Sequence, residues 1–153
     1  MNLANLLSRN LVKIPLESTD SEEAIAELVE LLVRAGKIRD RQGLLDALYM
    51  REAKGSTGIG GGVAIPHARH PEVETVALVV GVRPEGIEYD SVDGEPVRLI
   101  FLLVAAPNKP GLNVEALADI GDLVRVPGVC QKLINADNAS ELINVIEKAQ
   151  LSK

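Results

Sequence analysis

The chain has 153 residues, enough for one domain with a sizeable core and too few for two ordinary ones. Hydrophobic residues make up 46% and charged residues 25%, as in a globular protein, and a net charge of −6 with no basic tract argues against a nucleic-acid footprint. Aromatics at 2%, with no Trp, leave no platform for stacking single-stranded bases and require a core of Leu, Ile, Val and Ala.

Leu11-Val12-Lys13-Ile14 reads as a short strand ended by Pro15. Thr19 with Glu22 offers a capping box for a helix to about Ala35, with Ile25, Leu28, Val29, Leu32 and Ala35 as its apolar stripe and Gly36 as C-cap. A second helix is expected from Asp40 to Ala53, with Leu44, Leu45 and Leu48 inward and Arg51 in its last turn. Lys54 to Gly62 reads as a loop, and Val63-Ala64-Ile65 as a short strand. Pro66 stops that strand and biases Ile65 to extended geometry, which aims His67 out of the sheet edge.

Thr75 to Val82 is a second apolar strand, and Val97 to Ala105 is apolar on both faces, as in a central strand covered by helices on each side. Between them Gly86 to Gly94 reads as a hairpin or a short edge strand with turns. Val114, Leu117, Ile120 and Val124 recur at helical spacing between Gly111 and Pro127. Asn138 with Glu141 caps a last helix through Ala149, with Leu142, Ile143, Val145 and Ile146 inward. Val124, Val126 and Val129 fit either a contact patch or the core. Strands interleaved with helices give a single α/β domain over residues 1–153, a mixed β-sheet flanked by helices.

Cys130 is the one cysteine, so no internal disulfide forms, which fits a reducing compartment; Val129 and Leu133 beside it imply a buried, unreactive thiol. Two His and one Cys do not make a structural zinc site, and no metal or cofactor is expected. Met1 to Asn5 lacks the basic start of a signal peptide. The longest apolar run, Leu99 to Ala106, is far short of the ~20 residues that span a bilayer. No direct membrane insertion is expected, and the expected location is cytoplasmic.

The segment from Arg51 to Arg69 sets His67 at the end of a glycine-rich stretch, with the hydroxyls of Ser56 and Thr57 and the guanidinium of Arg51 nearby in sequence. A neutral imidazole is a nucleophile near physiological pH, glycines let backbone N–H groups approach an anion, and hydroxyls and arginine hold phosphate oxygens. The stretch has the parts of a phosphoryl-accepting histidine. It is no Walker A loop, because no Gly-Lys-Ser/Thr follows. It is no dinucleotide fingerprint either, because it precedes a strand instead of opening a helix.

In order and spacing, Arg51-Glu52, Ser56-Thr57-Gly58-Ile59-Gly60 and Val63-Ala64-Ile65-Pro66-His67 resemble the phosphohistidine site of phosphotransferase-system (PTS) IIA domains of the fructose/mannitol type (type 2), in particular their nitrogen-regulatory branch. A looser likeness runs from Leu11 to Ile146 and points to the same α/β architecture. The resemblance implies a phosphotransferase with a phosphohistidine intermediate. His67 would take the group from a small histidine phosphocarrier protein and pass it to a IIB component or use it to signal to a regulated target protein. It also implies that Arg51, the hydroxyls of Ser56 and Thr57, and the loop N–H groups around Gly58 hold phosphoryl oxygens. Family members usually carry a second histidine at the start of a later helix; here Asn113 stands in its place, a group that hydrogen-bonds but cannot become a cation. Gly61 stands where asparagine is common. A domain without its own IIB or membrane segment leans toward regulation. Loss of transfer, leaving a IIA-like binding module, is the alternative that Asn113 raises.

Each of these residues has a plainer reading. His67 could be a hydrogen-bonded turn residue, Arg51 a helix end, Asn113 a helix cap, and Ser56 and Thr57 partners for loop backbone. His70, ahead of Pro71, reads as a surface histidine, and Glu52 and Glu115 as solvated helix residues.

Overall fold

A computed structural model describes residues 1–151. Two 3-10 turns, Leu3–Leu6 and Arg9–Leu11, precede β1 (Val12–Lys13). Then follow α1 (Ser21–Arg34), α2 (Arg41–Ala53), β2 (Gly58–Gly60), β3 (Val63–Ala64), β4 (His67–Arg69), β5 (Val76–Ile87) and β6 (Val97–Ala105). The chain ends in α3 (Pro110–Arg125), α4 (Val129–Ile134) and α5 (Ala139–Leu151).

The sheet is mixed, in the order β1-β5-β6-β3-β2, with β4 also on β6. β6 is its spine. It runs antiparallel to β5 and parallel to β3 and β4, which lie end to end along its other edge and are separated by Ile65 and Pro66. Side chains alternate across a strand. Leu99, Phe101 and Leu103 face one core with Ala116, Ile120, Leu123, Leu142 and Ile146 of α3 and α5. Ile100, Leu102 and Val104 face the other, with Ile25, Leu28, Leu32, Leu44 and Leu48 of α1 and α2. The three layers, and the two-sided burial of the Val97–Ala105 run, are those expected from its apolar stretch Leu99–Ala105.

Several boundaries differ from expectation. Helix α1 is capped by Asp20, whose carboxylate accepts from the Glu23 N–H at 2.9 Å, instead of by Thr19. Strand β5 continues past Val82 to Ile87 through a register shift, absorbing the start of the expected hairpin. Gly58–Gly60 pairs antiparallel with β3, so part of the expected loop is a strand. Helix α3 starts at Pro110, which suits its first position, so Gly111 lies inside the helix. Asn138 does cap the last helix, accepting from the Glu141 N–H at 2.9 Å. Val129 is core, and Val124 and Val126 pack against it, which decides between the two readings of those valines. The Cys130 thiol is half-buried and donates to the Val124 carbonyl at 3.4 Å, and burial raises its pKa. Among the described residues no helix is long and apolar enough to cross a membrane.

Candidate functional site

Strand β4 carries His67 and is parallel to β6, with His67 opposite Leu103. Pro66 separates it from β3; its carbonyl still accepts from the Leu103 N–H at 3.0 Å, so pairing continues through the break. His67 is thus held by the most buried strand of the sheet. Its side chain is half-buried in a cavity of about 490 Å³, lined by Ala47, Met50, Arg51 and Lys54 of the α2 end, His67, Ala68 and Arg69 of β4, and Asn113 of α3.

The imidazole has a fixed tautomer. Nδ1 lies 2.8 Å from the carbonyl oxygen of Ile65. A carbonyl only accepts, so Nδ1 carries a hydrogen, and in the neutral ring the lone pair is on Nε2. The extended backbone that Pro66 imposes on Ile65 puts that carbonyl within reach.

Arg51 comes from the last turn of α2, as expected. Its Nη1 donates to the Gly55 carbonyl at 2.8 Å, which ties the guanidinium to the turn that follows the helix. Asn113 is in the first turn of α3. The cap position is Lys109, with no side-chain cap bond, so Asn113 is not the cap of its helix. Its Oδ1 is buried and has no hydrogen-bond partner. The structure therefore brings His67, Arg51 and Asn113 to one cavity.

It does not bring Ser56, Thr57 and Gly58 there. The Thr57 side chain is 4% exposed; its hydroxyl donates to Glu52 and touches the Tyr89 hydroxyl at 3.0 Å. The Ser56 hydroxyl donates to the Tyr89 carbonyl at 3.0 Å and accepts from the Gly58 N–H at 3.0 Å. Gly58 is buried against Ser91: a Cβ on Gly58 would lie 2.9 Å from the Ser91 Cα. The loop N–H groups are also engaged internally, that of Thr57 with Glu52 at 3.2 Å and that of Gly61 with Asp93 at 3.1 Å. Gly60, Gly61 and Gly62 have φ of 94°, 65° and 80°, which explains the glycine run as a turn between two strands. Gly61 and Gly62 line a separate cavity with Cys130 and Arg98. The glycine-rich loop is thus a brace for the end of α2.

Glu52 and His70 also depart from expectation. Glu52 accepts from Thr57 and from the Tyr89 hydroxyl at 3.0 Å, so it is no solvated helix residue. Burial, with the Glu52 charge adding to it, raises the Tyr89 pKa far above its ordinary value and keeps the phenol neutral. His70 is 5% exposed; its Nδ1 accepts from the Glu72 N–H at 3.1 Å and its Nε2 meets the Asp40 carboxylate at 3.4 Å. It links the end of β4 to the start of α2, the two elements that carry His67 and Arg51.

Lys54, Arg69 and Met50 were missed from the sequence. Two signals were available. Lys54 follows Arg51 by three residues, one helical turn, and Arg69 follows His67 by two, the same face of a strand.

Residues 5–149 match the family model described as phosphoenolpyruvate-dependent sugar phosphotransferase system, EIIA 2. The PTS system fructose-specific EIIABC component of Bacillus subtilis is 34% identical over 148 residues, 97% of this chain and 23% of that protein. The nitrogen regulatory protein of Bradyrhizobium diazoefficiens is 28% identical over 148 residues, 95% of either chain. The crystal structure of the nitrogen regulatory protein IIA-Ntr from Neisseria meningitidis has a TM-score of 0.86 at 28% identity, covering 94% of this chain and 98% of that one. This chain therefore spans under a quarter of the first relative and nearly all of the others.

Proposed function

The chain belongs to the phosphoenolpyruvate-dependent sugar phosphotransferase system EIIA 2 family, and from that premise we propose that it is a phosphocarrier whose His67 Nε2 accepts a phosphoryl group from a small histidine phosphocarrier protein. The observation that carries this reading is the Nδ1–H···O=C bond from His67 to Ile65 at 2.8 Å, which leaves Nε2 as the nucleophile in a cavity with Arg51.

The step is a displacement at phosphorus. The Nε2 lone pair forms the new P–N bond as the bond from phosphorus to the donor imidazole breaks. The electron pair of that bond returns to the donor nitrogen. The donor ring, protonated on its other nitrogen, is left neutral. The His67 ring becomes a phosphorylated imidazolium whose proton stays on Nδ1, against the Ile65 carbonyl. That carbonyl dipole stabilises the new cation. Arg51 meets the charge on the transferring oxygens. Positioning and charge stabilisation supply most of such catalysis, because phosphoryl transfer asks little covalent chemistry of the protein.

The phosphoryl group then has two destinations. One is a IIB component, as the EIIABC name of the Bacillus subtilis relative suggests for uptake. The other is regulation of a target protein, in line with the nitrogen regulatory relatives. Adding about −2 of charge at the half-buried His67 is enough to gate a protein interface. Both roles place the protein in the cytoplasm.

A second reading rests on Asn113, whose neutral amide stands where the family usually has a histidine. It makes the chain a IIA-like module that regulates a partner without phosphoryl transfer. Intact-mass spectrometry under non-acidic conditions separates the two. The protein is incubated with phosphoenolpyruvate, the general phosphotransferase enzyme and the small phosphocarrier, beside His67→Ala. One acid-labile phosphoryl group, absent from the variant, is the expected result. No gain with an active cognate donor refutes the phosphocarrier and leaves the binding module.

A further inference from the structure

The cavity beside His67 is more cationic than its matched motif requires. Its lining includes Arg51, Lys54 and Arg69 and no carboxylate. This is unusual in a chain of net charge −6. The three differ in what else they do. Arg51 gives one Nη1 hydrogen to Gly55. The side chains of Arg69 and Lys54 make no hydrogen bond or ion pair among the described residues, and both residues are exposed. Two cations left without partners at the mouth of one cavity repel each other, unless an anion comes between them.

Geometry distinguishes Arg69. It lies two residues beyond His67 on β4, so the pleat puts both side chains on the same face of the strand, while Ala68 between them packs toward the opposite core. The strand is pinned residue by residue, His67 on Leu103 and Arg69 on Ala105, so their spacing is rigid. A guanidinium offers a planar fork of donors that matches phosphate oxygens. Asn113, which also lines the cavity, is neutral, and its buried Oδ1 has no donor.

We propose that Arg69 is a phosphoryl-binding residue of this site. With Lys54 as an outer cation, it forms an oxyanion subsite that provides the positive charge missing at Asn113. The proposal deepens and rests on the phosphocarrier reading. Arg69 takes no proton and forms no bond in the transfer; it holds the oxygens of the group that moves to Nε2.

Inorganic phosphate is the probe. It is titrated at neutral pH while NMR follows the ring protons of the two histidines, His67 at the site and the buried His70 as internal control. In the parent the His67 signal moves and saturates while His70 stays. Arg69→Gln is expected to weaken binding about tenfold, the usual loss for a charge-assisted hydrogen bond, and Arg69→Lys by about threefold or less. The exposed position predicts an unchanged melting temperature, so the loss is not unfolding. A parent whose His67 signal ignores phosphate, or Arg69→Gln with the parent's midpoint, overturns the proposal. Arg69-dependent phosphate binding in a protein that gains no phosphoryl group from the donor system refutes the phosphocarrier and leaves the oxyanion subsite standing.

Discussion

The carboxylate of Glu52 takes both polar groups of Thr57: the N–H at 3.2 Å and the hydroxyl. Glu52 lies in the last turn of α2 and Thr57 just before β2, so the pair fixes the bend between them. The Tyr89 hydroxyl donates to the same carboxylate at 3.0 Å from the far side of the loop. Arg51, the preceding residue, bonds to Gly55 inside this bend. The Arg-Glu and Ser-Thr parts of the motif are therefore joined through the protein itself, and their common effect is to aim Arg51 at the His67 cavity.

Removing Glu52 tests that bracket. Glu52→Ala leaves the Thr57 N–H, the Thr57 hydroxyl and the Tyr89 hydroxyl without their acceptor. Unsatisfied donors at a largely buried position cost about 1–3 kcal/mol each, and relaxation of the loop reduces the sum, so a loss of about 2–3 kcal/mol is expected. Urea denaturation measures it. The rate of His67 phosphorylation should fall as well, because Arg51 loses its fixed position. Glu52→Ala with parental stability would show that the bend is held by the Arg51–Gly55 contact alone.

Much of this was legible along the chain. The Val97–Ala105 run gave away its two-sided burial, and Asp40 fixed the start of α2 and so the place of Arg51 in its last turn. The missing parts depend on contacts distant in sequence. Thr57 reads as a loop hydroxyl until Tyr89, 32 residues away, closes over it. His70 reads as a surface residue until Asp40, 30 residues earlier, is folded against it. Helix α4, of 6 residues, is too short to show a period. Thr19 and Asp20 both carry capping oxygens one residue apart, and sequence offers no means to choose between them.

Gly58 makes a sharper stability test than the positive-φ glycines. Its role is space, since a Cβ would sit 2.9 Å from both the Cα and the Cβ of Ser91. Backbone on that side cannot rotate away as a long side chain would. Gly58→Ala should cost about 1–3 kcal/mol through overpacking, measured by thermal or urea unfolding. Gly61 has φ of 65° and nothing within 4 Å of its Cβ position, so Gly61→Asn should be tolerated within about 0.5 kcal/mol, asparagine being at home in that region. Equal losses in the two variants would refute this division of roles.

The acid limit of the fold follows from three carboxylates. The Asp40 pKa is lowered, first by the Gly43 N–H and then by His70. The Glu72 pKa is lowered, first by the Asp40 N–H, and that of Asp93 by the N–H groups of Glu95 and Gly61. A folded pKa below the unfolded one gives stability that is present above the unfolded value, about 4, and is lost as pH falls through the folded value. Glu23, raised chiefly by its hydrogen bond with Asp20, acts in the opposite sense and loses its contribution as pH rises. Three groups against one predict that the melting temperature holds to about pH 5 and then falls. Asp40→Asn should melt lower than the parent at neutral pH and flatten the acid slope; an unchanged slope would remove Asp40 from the account.

Asn113 offers the most direct test of chemistry at the site. Its Oδ1 is buried without a partner, and the residue lines the cavity that holds His67. Oxygen against oxygen is unfavourable, so the amide must present its NH2 edge to the group, with no charge to add. Three substitutions order the alternatives. Asn113→His supplies a donor that can carry a proton, and should speed phosphoryl gain at His67 by about tenfold, at the low end for a positioned acid or base. Asn113→Ala removes the amide and should slow it only modestly. Asn113→Asp keeps the shape, places a carboxylate against the incoming anion, and should slow transfer by tenfold or more, since about 1.4 kcal/mol of repulsion suffices. Single-turnover transfer from the phosphorylated donor gives all three rates. The order His above Asn, Ala and Asp places residue 113 in contact with the moving group. Equal rates in the four proteins would confine the chemistry to His67 and its cations.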